Sequence, residues 1–367
     1  MTTIANPTDN MFLSDLTGVV ENIPNTYGLI TNMNLFNANP ISQTSFILDL
    51  REFDIRLQDS VDRDSHDATT IDSDVVKQIG MVMPYFKSVE SLTPMELQGV
   101  RQVGTASQPE QEAAVKARKL MKLRMQHAIT KEFLMAQALK GKILNPQGQL
   151  IADLNAAFGV TKKTFYFDLS NPAADIDGTI EALKEHMEKE ALTGALIDGE
   201  RIKVLVDSVF FRKLINHPKI REAYLAQQSA TAYRYMTGSL RTGVSDGTAA
   251  RTSEFVYGGL TFVKYTGAFK DMRGQNHKLV GISGVADTVG VGHAFPDTSM
   301  LGAAADLYQI AYGPCPKMGY ANTLGKELYA FEYMRPRDEG VDFEMHSYML
   351  PYCTRPQLLV DVRADHE

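Results

Sequence analysis

Residues 44–87 constrain this chain more than any other stretch. Phe46, Leu48 and Leu50 alternate, the phase slips by one, and Phe53, Ile55 and Leu57 alternate again; Val76, Ile79, Met81 and Met83 lie on the return. Alternation of period two marks strands with one buried face, and a one-residue slip is what a β-bulge near Arg51-Glu52 produces. Between the strands, Gln58 to Ser73 is rich in Asp, Ser and Thr and reads as a solvated tip. Strands of about 12 residues reach roughly 40 Å. A two-stranded hairpin on its own is marginally stable in water, and no following strand is expected to widen this one. It must lie on a surface, its own chain's or a neighbour's.

A second element is equally long. Ser107 with Glu110 three residues later is a capping-box signature, and Pro109 suits the first turn. Ala117, Leu120, Met121, Met125, Ala128, Met135 and Leu139, widened by Ile129 and Phe133, form an apolar stripe at helical spacing. Lys140-Gly141-Lys142 is a stop signal, with glycine past the end and cations on the negative terminus. The spacing predicts a helix over 107–141, roughly 50 Å long, too long to belong wholly to a compact core.

These two elements carry opposite charge. From Asp49 to Lys77 nine acids face four bases, a net of −5; from Ser107 to Lys142 eight bases face three acids, a net of +5. Complementary patches steer association and fix register more than they add affinity. The pattern predicts that the acidic hairpin of one subunit, through Asp49, Glu52, Asp54 and Asp59, crosses the basic helix of the next at Lys116, Lys119, Lys122 and Arg124. A head-to-tail contact of this kind closes into rings when its rotation permits.

The remainder reads as an α+β chain. Residues 1–43 form an arm whose only charges are Asp9, Asp15 and Glu21. Met11, Phe12, Leu16, Val19, Val20 and Ile23 suggest one short amphipathic helix in it, and the rest is Asn- and Pro-rich extended chain. Short strands are expected around Gln149–Leu154 and Thr164–Leu169. Residues 171–305 follow as a compact unit: a helix Asp175–Leu192, a strand Ile202–Val206, helices Val209–Asn216 and Ile220–Tyr235, and a strand pair within Phe255–Tyr265. Loops rich in Gly, Ser and Thr separate them at 237–253 and 281–292. Three alternating stretches close the chain: Tyr329 to Tyr333, Val341 to Met345, and Leu358 to Val362.

With 367 residues, 44% of them apolar, and 17 Phe and 15 Tyr, the chain can bury a sizeable core. A net charge of −7 disfavours general nucleic-acid binding. Two cysteines, Cys315 and Cys353, allow neither a disulfide scaffold nor a four-cysteine zinc site. No apolar run approaches the roughly 18 residues of a membrane span, and no basic residue precedes an apolar stretch at the N-terminus. A soluble, intracellular product without membrane contact is the expectation.

No catalytic, cofactor or metal constellation stands out. Gly319 to Gly325-Lys326-Glu327 resembles a phosphate loop, but five residues separate the glycines and Glu327 replaces the magnesium-binding hydroxyl. Gly290-Val-Gly292 lacks the third glycine of a dinucleotide turn. Gly281-Ile-Ser283-Gly284 is one residue short of a nucleophile elbow. These glycines read as loop positions that need positive φ. Asp62, Asp64, His66 and Asp67 lack the glycine and distal Glu of a calcium loop. His186 has Glu190 one turn on, where a zinc helix needs a second His.

The order of acidic arm, long hairpin, long helix, α+β unit and terminal strands resembles the major capsid proteins of lambda-like tailed phages, the phage capsid protein E family. Three stretches carry the resemblance: Asn22-Ile-Pro24-Asn-Thr-Tyr27-Gly28 through Leu35-Phe36; Pro84-Tyr-Phe86 through Glu96-Leu-Gln98-Gly99-Val100-Arg101 to Gly104; and Tyr320-Ala-Asn322-Thr323-Leu324-Gly325 with His346-Ser347, Leu350-Pro351, Cys353-Thr354-Arg355-Pro356 and Leu359-Val360. Where the family's terminal block reads Gln-Ser-Asn-Pro-Leu-Pro, this chain has His346-Ser-Tyr-Met-Leu-Pro351.

The resemblance implies the tailed-phage (Hong Kong 97-like) capsid fold. It implies an N-terminal arm at 1–43 and an extended hairpin at 44–87. A peripheral domain is implied at 88–170 and 306–367, with spine helix 107–141, and an axial domain at 171–305. It implies self-assembly into hexamers and pentamers of an icosahedral head, in the host cytoplasm, around double-stranded DNA that is enclosed without sequence-specific binding. A separate scaffolding protein and a portal are implied partners, and a decoration protein is left open. No catalytic residues, no cofactor and no Lys–Asn cross-link are expected. A ring- or tube-forming phage protein is the alternative, and a nucleotide-binding enzyme using Lys326 a remoter one. Under the charge pairing, Lys119→Glu with Lys122→Glu blocks assembly while the monomer stays folded, and Asp54→Lys with Asp59→Lys restores it; electron microscopy of the product checks this.

Overall fold

The computed structural model describes residues 13–15, 28–52, 75–97, 112–145, 147–191, 202–226, 253–270, 273–281, 288–297 and 307–366. The hairpin tip with Asp54 and Asp59, the Ser107/Glu110 cap, and the stretches 98–104 and 227–252 lie outside them.

Two six-stranded sheets organise the chain. The first is built on the strand Val341–Cys353. Tyr329–Met334 pairs antiparallel along one edge of its first half, and Leu13–Asp15 pairs beyond that. Tyr85–Leu92 pairs antiparallel with its residues 341–348 on the opposite edge, Tyr308–Tyr312 pairs antiparallel with its residues 349–353, and Asn37–Pro40 adds parallel to the latter. The second sheet runs Ser253–Tyr257, Leu260–Lys264, Ile202–Val206, Val291–Pro296, Val360–Arg363 and Thr164–Tyr166. It therefore takes Val360–Arg363 and Thr164–Tyr166 from outside 171–305.

The long helix spans Glu112–Leu139. Its first half keeps an exposed polar side. From Phe133 to Leu139 every residue is buried, and so is Glu132. The helix is thus too long to lie wholly in the core, as expected, but 132–139 are enclosed all round. Such burial erases a one-sided stripe; in the first half the buried face is Val115, Leu120 and Leu123, whereas Ala117 and Met121 of the expected stripe are exposed. The helix Asp175–Leu192 is observed as Ile176–Ala191, Val209–Asn216 as Ser208–Asn216, and Ile220–Tyr235 as Pro218–Ala226 with its remainder outside the described residues.

The hairpin consists of Ser45–Glu52 and Val75–Val82 and forms a two-stranded sheet. Its register runs unbroken from Ser45↔Val82 to Glu52↔Val75, so no bulge lies at Arg51-Glu52. The return strand stops at Val82. A strand unforeseen in the sequence, Tyr85–Leu92, follows at once, but it joins the first sheet rather than widening the hairpin. Its charged and hydroxyl residues, Lys87, Ser88, Glu90 and Ser91, hid the apolar alternation.

Leu134 is fully buried in the enclosed half of the helix. Leu134→Ala is expected to cost about 3 kcal/mol, measured as a fall in denaturant midpoint with the slope unchanged.

Candidate assembly interface

At its root the hairpin lies on its own chain. Ile79, Met81 and Met83 are buried, Phe46 and Leu48 pack against the main core, and the Phe46 ring is 5.3 Å from that of Tyr352. The other face is open: Ile47 is 63% exposed and Val82 70%. Asp49 and Glu52 lie farther along the same strand, paired with Gln78 and Val75.

The four basic positions singled out on the helix have partners inside the chain. Lys116 reaches Glu332 and Glu112, each at 2.9 Å. Lys119, only 11% exposed, contacts Glu96 at 2.5 Å and Glu90 at 3.7 Å, and donates to the Ser91 carbonyl. Lys122 meets Glu90 at 3.0 Å but stays 58% exposed. Arg124 is half-buried. Farther along, Lys131 contacts Glu327 at 2.6 Å. The helix charge that looked available to a neighbour is thus largely matched by Tyr85–Leu92, the turn Pro94–Leu97 and Tyr329–Met334. The acids that do this lie 20 or more positions from their lysines in most cases, beyond any local charge count. Reversing Lys119 would damage the fold as well as any contact with a second chain.

The arm is fastened to the same helix. Glu132, fully buried, accepts from Ile30 N–H (2.7 Å), Thr31 N–H (3.1 Å), Thr31 Oγ1–H (2.7 Å) and Tyr265 O–H (2.8 Å). One carboxylate caps the turn Leu29–Asn32 and ties it to the residue after Leu260–Lys264. Gly28 sits at φ 109, and a side chain there would collide with the Glu132 carboxylate. This gives a physical reason for glycine in the Tyr27-Gly28 stretch.

A second buried ionic group joins the helix end to the second sheet. Asp361 accepts from His293 Nδ1 (2.8 Å) and pairs with Lys162, which also donates to the Lys140 carbonyl (2.9 Å). Burial works to raise the Asp361 pKa, but His293 and Lys162 outweigh it and hold the carboxyl at about 2. Burial, aided by the charge of Lys162, pulls Lys140 down to about 8. His127, hydrogen-bonded to Ser88 and Ser347, is lowered to about 4 by burial and by His346.

The motifs that looked chemical are structural. Residues 318–320 form a single 3-10 turn, and Lys326 N–H donates to Tyr329 Oη. Of the four described glycines read as needing positive φ besides Gly281, only Gly290 adopts it (φ 81); Gly292 and Gly325 instead allow close approach of Leu205 and Tyr312 backbone, and Gly319 is unhindered. Gly281 lacks positive φ as well. His186 packs near Phe165, and among the described residues no group of three or more His, Cys, Asp or Glu could hold a metal ion. Both cysteines are buried.

Comparison with known proteins decides the family. The model of phage major capsid protein E matches residues 12–364. The chain belongs to this family. A major capsid protein of Salmonella phage Felix O1 is 62% identical over 354 residues, 96% of each chain. One of Pseudomonas phage KPP10 is 29% identical over 361 residues, 97% of each. The crystal structure of a prophage capsid protein from E. coli CFT073 superposes with a TM-score of 0.53 at 13% identity, covering 96% of this chain and 99% of the other. The capsid protein thus has the Hong Kong 97-like α+β fold, and it is a structural component of a phage shell.

Two outcomes follow from the buried charges of this capsid protein. Glu132→Ala strands four buried or half-buried donors and is expected to cost at least about 3 kcal/mol, with residues 28–36 losing protection in hydrogen exchange. Lys140 has a folded-state pKa near 8, below its unfolded value of 10.5. The penalty for its charge is therefore present in full below pH 8, and stability rises as pH climbs from 8 to 10.5. Lys140→Met is expected to stabilise the subunit at pH 7, by up to about 3 kcal/mol, and to flatten that rise in a pH series of urea melts.

Proposed function

We propose that the chain is the repeating tile of an icosahedral phage head. It assembles with copies of itself into hexamers and pentamers that enclose double-stranded DNA, and it carries no catalytic residues. In this reading 88–170 and 306–367 act as the peripheral domain, 171–305 as the axial domain, and the hairpin is the limb that reaches a neighbour. Scaffolding protein and portal come from other chains, assembly takes place in the host cytoplasm, and the product is the virion shell.

The observation that carries the reading is the hairpin. It is a two-stranded sheet whose root packs on its own chain through one face and, through the other, shows Ile47 and Val82 to solvent. The family supports a shell role for that unused face. Since Lys116 and Lys119 are matched within the chain, Lys122 is the helix position best placed to meet a neighbour's Asp49, Glu52, Asp54 or Asp59.

The test is replacement of residues 54–73 by a short Asn-Gly turn in the full chain. The expected product is a folded subunit with an unchanged melting midpoint and no closed particles under negative stain. Closed shells formed at the normal yield would overturn the limb reading, and tubes in place of shells from the unaltered chain would overturn the icosahedral one.

A further inference from the structure

We infer that loop 316–326 of one subunit inserts as a knob into the outer face of the hairpin of the next. This rests on the reading that the hairpin reaches a second copy, and it names what receives it.

The hairpin supplies a notch. Gly80 pairs with Ile47, and a side chain built at Gly80 would meet nothing within 4 Å. The gap is bounded by exposed Ile47 and Val82, and Asp49 follows two residues on from Ile47 in the same strand.

The loop supplies the knob. Met318 is 96% exposed and Leu324 64%. The loop that presents them is held firmly. Tyr320 N–H donates to Lys317 O, Thr323 donates through both N–H and Oγ1–H to Tyr320 O, and Gly325 N–H donates to Ile41 O. The Tyr320 ring packs edge-on against Tyr329 and Phe331. The Lys317 ammonium lies 4.1 Å and 4.2 Å from the ring centres of Phe331 and Tyr333. A preorganised loop loses little freedom on association.

Charge favours the same pairing. Residues 316–326 contain no acid; Lys317 lies 3.6 Å from Glu344, which leaves exposed Lys326 to face the hairpin, where Asp49 to Lys77 carries nine acids against four bases. An apolar centre rimmed by opposite charges is the usual anatomy of a specific contact. The rival source of cations, the long helix, has Lys116, Lys119 and Lys131 engaged by Glu332, Glu96 and Glu327. Knob and notch are both uncovered on a single chain, so their union is head-to-tail and propagates around a ring.

The experiment uses the full chain with Gly80→Cys and Met318→Cys together. Cys315 and Cys353 are buried, so background thiol reactivity is low. Oxidised particles are expected to run as a ladder of covalently linked subunits that neither single variant gives. Met318→Asp with Leu324→Asp should leave melting unchanged and abolish shells. Asp49→Lys should do the same, and Asp49→Lys with Lys326→Glu should restore them. Absence of the ladder together with normal assembly of the Met318/Leu324 variant overturns the inference. So does a Met318→Cys thiol labelled as fast in shells as in free subunits, which would leave the loop to solvent or to a decoration protein. If Asp49→Lys alone blocks assembly and the loop variants do not, the knob is wrong and the hairpin reading stands. Indifference to every substitution removes both.

Discussion

The body of this capsid protein is organised around one buried carboxylate. Glu132 collects donors from the arm and from Tyr265 beside the second sheet, on a helix whose neighbouring residues are enclosed on all sides. A buried charge is tolerable only when its lone pairs are filled, so arm, helix and second sheet are held in a single arrangement. If any of these donors withdrew, the others would be left beside an uncompensated charge. Asp361 repeats the device at the far end of the helix with Lys162 and His293. The long helix is therefore anchored electrostatically as well as by packing.

Against this rigid body stands the hairpin. Its inner face is continuous with the core, so its direction of departure is fixed at Phe46, Met81 and Met83. Its outer face has no partner surface among the described residues beyond its own two strands.

Much of the architecture was legible in the residues. Period-two stretches at Tyr329–Tyr333 and Val341–Met345, the Gly141 stop and the Ile202–Val206 strand all reappear, because burial on one face or both leaves a mark on local pattern. Tyr85–Leu92 escaped notice because Lys87, Ser88, Glu90 and Ser91 interrupt its apolar positions, Lys87 pairing with Glu344 across the sheet. The helix lysines misled for a related reason. A charge run identifies a demand for counter-charge but not who supplies it, and Glu90, Glu96 and Glu332 are local to the fold rather than to the sequence. Glu132 was equally invisible, since one acid in a basic helix carries no signal until its four donors are brought to it.

The weave of the second sheet also has a temporal consequence. Val360–Arg363 lies between Val291–Pro296 and Thr164–Tyr166, so a strand made roughly 200 residues earlier must wait for it. A nascent chain on the ribosome cannot close this sheet until nearly all of the described sequence has emerged. Partly synthesised copies would then lack the finished subunit that polymerisation requires, and translation itself would keep incomplete tiles out of the growing wall.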